Sequence, residues 1–355
     1  MSVSEQLVLA ACSFNRPERI PRFDSFWEYP DSWRERLGPP EGLTDVEIWV
    51  PDETTFPTRA RQLDQSGGWI YEIDGWGRTI RQKQGVYFTE TLEVPISAGT
   101  DPDDIAFDSP YYDARYLQGC ESKTELQDLL SRAKQMHCVF GKTGGPYLRT
   151  TYVRGESQFL MDIANDPPLA KNLADKMAAH LIAIGVEEIN RWNLQNTGIW
   201  IYDDMAYNDG PMFSPASFEK VFLQAYRKMV KAFKTAGARY VFFHSDGDIR
   251  SLLDMLVDAG VDGINPLERR AHMDADALRK KYPRLILTGG MCNTDTLING
   301  PIEKIQSEAR QLIDLGKEGG LIIGTHSVSP EIPLEHFAAY DEVCRTYGIY
   351  GRSKS

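Results

Sequence analysis

Short apolar runs alternate with longer amphipathic segments over the second half of the chain. GIWIYDDM (198–205), ARYVFFHSD (238–246), VDGINPLE (261–268), RLILTGGM (284–291) and GGLIIGTHS (319–327) each have the length of a strand, and helix-patterned sequence separates each from the next. Five successive units of this kind are the pattern of βα repeats around a parallel sheet. Upstream, RIPRFDSFW (19–27), TDVEIWV (44–50) and CVFGKTGGPYLRT (138–150) bring the count to about eight, the number that closes a (β/α)8 or TIM barrel. An open doubly wound sheet is the competing architecture, but no G-x-G-x-x-G follows any of the strands. Two helices are expected in particular. One spans 166–192, with Asp166 and Pro167 in the starting positions; the other spans 214–237, opened by Ser214-Pro215 and stopped by Gly237. Residues 67–96 alternate in the strand manner around Gly75, Gly77 and Gly85 and predict a β-hairpin or small meander. No Pro/Ser-rich linker sets it apart, so the expectation is a single domain over 1–355: one barrel over 10–345, with 67–96 as an excursion from it.

Composition narrows the function. The chain has 355 residues, 42% of them hydrophobic, and a formal net charge of -12, with no basic face to neutralise phosphates. A small molecule or another protein is the expected partner, rather than nucleic acid or a membrane. Cys12, Cys120, Cys138, Cys292 and Cys344 form no Cys-x-x-Cys pair and are odd in number, which fits a reducing compartment better than a disulfide framework. The first residues lack the basic region of a signal peptide, and no later run has the length of a membrane span, so a cytoplasmic protein is expected.

In a barrel of this type the site is built at the C-terminal ends of the strands. Those ends read Asp203-Asp204, His244-Ser245-Asp246, Asn265-Pro266-Leu267-Glu268, Gly289-Gly290 and Thr325-His326-Ser327. Asp, Asn and Ser are ordinary in turns and helix caps, and Asp248 is expected to serve only there. His244 and His326 are less ordinary, since the chain has six histidines and caps rarely use them.

The segment SPASFEKVFLQAYRKMVKAFKTAGARYVFFHSDGDIRSLLDMLVDAGVDGINPLE, followed by GGM and GTHSVSPEIPLEHFAAY, resembles the uroporphyrinogen decarboxylase superfamily over 198–345, with a weaker likeness at RPERIPRF. The resemblance implies a single-domain TIM barrel. It implies either porphyrinogen decarboxylation or methyl transfer to a corrinoid. The decarboxylase's R-Q-A-G-R-Y segment is missing, and FDSFWEYPDSWRERLG stands in its place. Arg16, Arg19, Arg22, Arg34 and Arg36 lie nearby, but Phe23, Phe26, Trp27 and Tyr29 suit an aromatic ligand better than a polycarboxylate.

In the methyltransferases that alkylate a thiol, the resemblance implies zinc held by H-x-C after the fifth strand and a Cys after the eighth. Here the matching positions are His244-Ser245-Asp246 and His326, so both thiolates are replaced. Zinc accepts imidazole and carboxylate in catalytic sites, and a set with fewer thiolates is a harder Lewis acid, suited to an oxygen ligand. The implied reaction is O-demethylation of an aryl methyl ether, with the methyl group passing to the cobalt of a corrinoid. No D-x-H-x-x-G motif occurs in the chain, so a separate corrinoid-binding protein is the implied partner. The expected metal ligands are His244, His326 and a carboxylate from Asp246 or Glu268. Asp203 and Asp204 are expected to position the substrate or a ligand, and Tyr202, Tyr207 and Asn265 to hydrogen-bond a phenol oxygen; Cys292 is a further soft donor. Several of Phe23, Phe26, Trp27, Trp76, Tyr202 and Tyr207 should line the cavity, whereas three or more arginines there would point to a polycarboxylate. The competing readings are a decarboxylase and a non-catalytic binding barrel, which metal content separates from the methyltransferase.

Overall fold

The computed structural model describes residues 1–351 apart from Tyr87 and His326. Seven parallel strands stand in one sheet in chain order: Val46–Trp49, Cys138–Gly144, Gly198–Tyr202, Tyr240–His244, Gly263–Asn265, Ile286–Gly290 and Leu321–Gly324. Residues 20–26 close the ring. On one side Phe23 N donates to the Ile323 carbonyl at 2.8 Å and Ser25 N to the Thr325 carbonyl at 3.0 Å; on the other, the Arg22 carbonyl accepts from Asp45 N at 2.8 Å. Counting this segment as the first strand, the barrel has eight, at the places the apolar runs mark, and Tyr240–His244 is the fifth.

Alternation along the strands sorts side chains between two layers. Phe23, Val46, Phe140, Trp200, Phe242, Ile286 and Ile322 point inward and pack together, with Trp200 and Phe242 stacked at 4.5 Å. The helix Val3–Cys12 stoppers the N-terminal end with Val8, Leu9 and Cys12. The outward side chains meet the surrounding helices in a larger apolar layer that includes Ile199, Ile201, Val241, Phe243 and Leu287.

The expected helix at 166–192 spans Pro167–Arg191, and the Asp166 carboxylate accepts from Leu169 N at 3.2 Å. The one expected at 214–237 starts at Pro215 under a Ser214 cap, but Phe222 divides it into Pro215–Val221 and Leu223–Thr235. There φ opens to −111° while the ring packs against Tyr147, Phe159 and Phe213. Backbone hydrogen bonds continue across the break.

The meander is larger than its sequence pattern. It is a four-stranded antiparallel sheet, Arg61–Ser66, Trp69–Ile73, Thr79–Lys83 and Thr89–Glu93, inserted between the second and third barrel strands. Arg61–Ser66 is exposed throughout and so lacks the alternation that marks a half-buried strand. Gly67 and Gly68, with φ of 60° and 79°, make its first turn. At its root Trp76 is buried and meets Tyr152 edge to face at 5.2 Å, and Phe56 N donates to the Gly75 carbonyl. No helix among the described residues is long and apolar enough to cross a membrane.

Candidate metal centre

At the C-terminal ends of the strands the barrel opens into a cavity of about 650 Å³. Phe23, Phe26, Trp27, Ile48, Val50 and Tyr202 form its apolar walls, and Lys142, Asp204, His244, Asp246 and Asn265 lie on its polar side. No arginine lines it among the described residues. The arginines near the first strand are engaged elsewhere. Arg22 pairs with Asp24 at 2.9 Å and Asp341 at 2.6 Å, Arg19 pairs with Asp45 at 2.7 Å, and Arg34 reaches Asp31.

His244 ends the fifth strand and is buried in the cavity wall. Its Nδ1 lies 2.6 Å from Asn265 Oδ1, while Asn265 Nδ2 donates to the Thr288 carbonyl at 3.1 Å. The second bond fixes which end of the amide faces His244. Nδ1 therefore carries a proton, and in the neutral form of the ring the lone pair lies on Nε2. Asp204 Oδ1 and Asp246 Oδ1 each stand 3.7 Å from that Nε2, and one donor atom from each of the three residues lies within 4.8 Å of the others. Tetrahedral zinc needs ligand atoms roughly 3 to 4 Å apart, so one imidazole and two carboxylates at this spacing fit a divalent cation with small adjustments. Burial pushes the Asp246 carboxyl up to about 7, with Asp204 and Glu268 adding to the shift. The backbone helps to hold the loop in place, since Asp246 N donates to Asp204 Oδ1 at 3.0 Å and Met205 N to Ser245 Oγ at 3.1 Å.

The other expected residues divide. Tyr202 lies in the cavity wall with its ring stacked on His244, centroids 4.0 Å apart. Asp203 turns away from the cavity. It accepts from Tyr147 N at 3.0 Å, Leu148 N at 2.5 Å and the Tyr226 hydroxyl, and so caps the helix Pro146–Arg154; burial raises it to about 6. Successive strand residues face opposite ways, which is why only one of the two aspartates reaches the cavity. Glu268 accepts from Gly247 N at 3.0 Å and lines a neighbouring groove with Tyr207, Arg270 and Asn293, outside the converging three. Trp76 lies at the meander root and Tyr207 in that groove, so neither faces the cavity, and Cys292 is buried away from the three donors. His326 falls outside the described residues. Asp248 binds its own turn, accepting from Arg250 N at 3.0 Å.

Three cavity residues escape the strand-end pattern. Asp24 joins the first strand to the eighth by accepting from Thr325 N at 3.1 Å, Glu47 pairs with His137 Nδ1 at 2.8 Å, and Lys142 lies within the third strand. Only Lys142 left a mark in the sequence, a charge at the inward alternation of Cys138, Phe140 and Lys142.

Residues 113–347, about two thirds of the chain, match the family described as uroporphyrinogen decarboxylase (URO-D). Among curated proteins, the methylcobamide:CoM methyltransferase MtaA of Methanosarcina barkeri (strain Fusaro / DSM 804) is 29% identical over 143 residues, 40% of this chain. The match spans only 39% of that relative's own length. A second Methanosarcina barkeri protein of the same name is 28% identical over the same extent. Among solved structures, a methyltransferase from Methanosarcina mazei superposes with a TM-score of 0.63 at 16% identity, covering 96% of this chain and 99% of that one, a likeness of fold. An eight-stranded barrel with its polar groups gathered at the strand ends is what such a match should look like in three dimensions, and the chain belongs to the uroporphyrinogen decarboxylase family.

Proposed function

We propose that this chain is a methyltransferase, moving a methyl group from a small aromatic methyl ether to the cobalt of a corrinoid carried by a separate protein, with zinc held by Asp204, His244 and Asp246. The observation that carries the reading is the convergence of those three donors on one point at the edge of an aromatic cavity without arginine among the described residues. His326 is the fourth donor we propose, on sequence grounds. Zinc, when bound, supplies a Lewis acid that makes the ether oxygen a better leaving group.

The chain's own residues do the rest. Asn265 holds the His244 proton on Nδ1 and so keeps Nε2 free of it. Phe23, Phe26 and Tyr202 hold a flat ring and keep water from the reacting bond. Glu268 fixes the loop after the fifth strand through Gly247 N, which sets the direction of Asp246. A donor set of imidazole and carboxylates is hard, so the reading favours an oxygen-linked methyl group. The name of the Methanosarcina barkeri relative, with its methylcobamide, supports the cobalt end. The absence of arginine from the cavity lining among the described residues speaks against a substrate with several carboxylates.

Metal analysis of the purified chain should find close to one zinc per chain, and His244→Ala combined with Asp204→Ala should lose it while the circular dichroism spectrum stays the same. The zinc-loaded chain should convert cob(I)alamin to methylcobalamin when given 2-methoxyphenol. A folded wild type that takes up no metal would return the choice to decarboxylation or plain binding.

A further inference from the structure

The third strand turns Cys138, Phe140 and Lys142 to one face, and Cys138 and Phe140 pack inside the barrel with Trp200 and Phe242. Lys142 is thus an interior lysine, at the level where the barrel opens into the cavity. Its Nζ lies 4.1 Å from the centre of the Tyr202 ring. His244 stacks on that same ring at 4.0 Å. The strands carrying Lys142 and His244 flank the strand of Tyr202 on opposite sides, so the ring stands between ammonium and imidazole.

Among the described residues that line the cavity, Lys142 is the only lysine or arginine. Of the carboxylates behind it, Glu53 pairs with Arg149 and Glu188 is fully buried outside the cavity lining. Those that line the cavity are engaged or exposed. Asp24 pairs with Arg22 and Glu47 with His137, Asp204 and Asp246 converge on His244, and Glu41 is exposed at the rim. The ammonium has the Tyr202 face and no hydrogen bond or ion pair with another described residue. Burial lowers its pKa from the ordinary lysine value, against the opposing pull of Glu53. A cation taken partly out of water with no described ion-pair partner in contact is restored by a ligand that brings one.

We propose that Lys142 is a specificity-determining residue that pairs with an anionic oxygen group of the substrate, a carboxylate set across an aromatic ring from the methyl ether that faces His244. The proposal rests on the methyl-ether reading for the far end of the substrate. Its near end is a claim about charge pairing and is tested by binding alone.

Isothermal titration with 4-methoxybenzoate and with its neutral methyl ester measures that pairing without any methyl transfer. Wild type should bind the acid at least about tenfold more tightly than the ester, the effect of one partly buried charge-assisted hydrogen bond. Lys142→Met should lose that preference with ester binding unchanged, and Lys142→Arg should restore most of it. Equal affinity of wild type for acid and ester, or no measurable binding of the acid, overturns the proposal, and this arm depends on no variant folding. A Lys142→Met protein that keeps the preference overturns it as well. If the preference is present and no methyl group reaches cob(I)alamin, the transfer reading falls and the assignment of Lys142 stands.

Discussion

Asn265 donates from Nδ2 to the Thr288 carbonyl, which leaves its Oδ1 facing His244. Removing that amide frees the imidazole to rotate and to move its proton. Asn265→Ala is therefore expected to weaken zinc binding by about ten- to a hundredfold in a chelator competition, the usual effect of losing a partner behind a ligating histidine. Unchanged affinity would mean that His244 is not a ligand. His180 supplies a test through pH. Its Nε2–H donates to the Glu53 carbonyl at 3.1 Å, and burial lowers its pKa to about 4. The unfolded chain takes up this proton below the ordinary value near 6.5 and the folded one only near 4, so His180 withdraws stability as pH falls through that window, by roughly 3 kcal/mol in all. Asp24 and Asp203, both raised to about 6 by burial, act in the opposite sense as pH falls. The measurement is thus a difference: urea melts of His180→Gln from pH 7 to 4 should show a shallower acid loss than wild type. At this scale the sequence was readable where spacing decides geometry. His244 and Asp246, two positions apart, both reach the cavity, but nothing in Asp203-Asp204 tells which carboxylate caps a helix until the helix Pro146–Arg154 is in place.

Gly324 ends the eighth strand against the first, and a Cβ there would run into the Phe23 carbonyl oxygen, a backbone atom that cannot swing aside. Gly324→Ala should cost stability toward the upper end of about 1–3 kcal/mol in chemical denaturation, because it forces apart the two strands that close the ring. A variant as stable as wild type would show that the seam is loose. The helix Pro146–Arg154 poses a different question, since Asp203 and Tyr226 hold its first turn. Tyr226→Phe should lower the melting temperature and leave zinc content untouched, which separates Asp203 from Asp204 in function as they are separated in space. Most elements could be read from the pattern because eight apolar runs with helical spacers admit few folds. The exceptions have local causes. Arg61–Ser66 is bare on both sides and carries no alternation, and the kink at Phe222 answers to rings on three other segments.

For the whole molecule, we propose that the four-stranded sheet belongs to the barrel's cooperative unit. Its root is fixed by buried Trp76 and Ile80, and Ile96 N donates to the Val153 carbonyl at 2.9 Å just beyond it. Thermal unfolding followed by far-ultraviolet circular dichroism and by tryptophan fluorescence should give coincident transitions, and two resolved steps would mean that the sheet melts by itself. The closing of the ring has a further consequence, in time. Asp24 and Thr325 are partners across 301 positions, and among the described residues the first strand bonds on that side to the eighth strand and the segment just after it. At ribosomal speeds of about 5–20 residues per second, Phe23, Asp24 and Phe26 wait roughly 15 to 60 seconds after synthesis for the strand that will hold them. Through that interval the nascent chain carries an open parallel edge and half a cavity, the condition in which chaperones find work. Closure of the cavity wall at Phe23 and Phe26 waits for the eighth strand, and a chain released before Leu321 would leave the ribosome with most of its barrel and its first strand unpaired on that side.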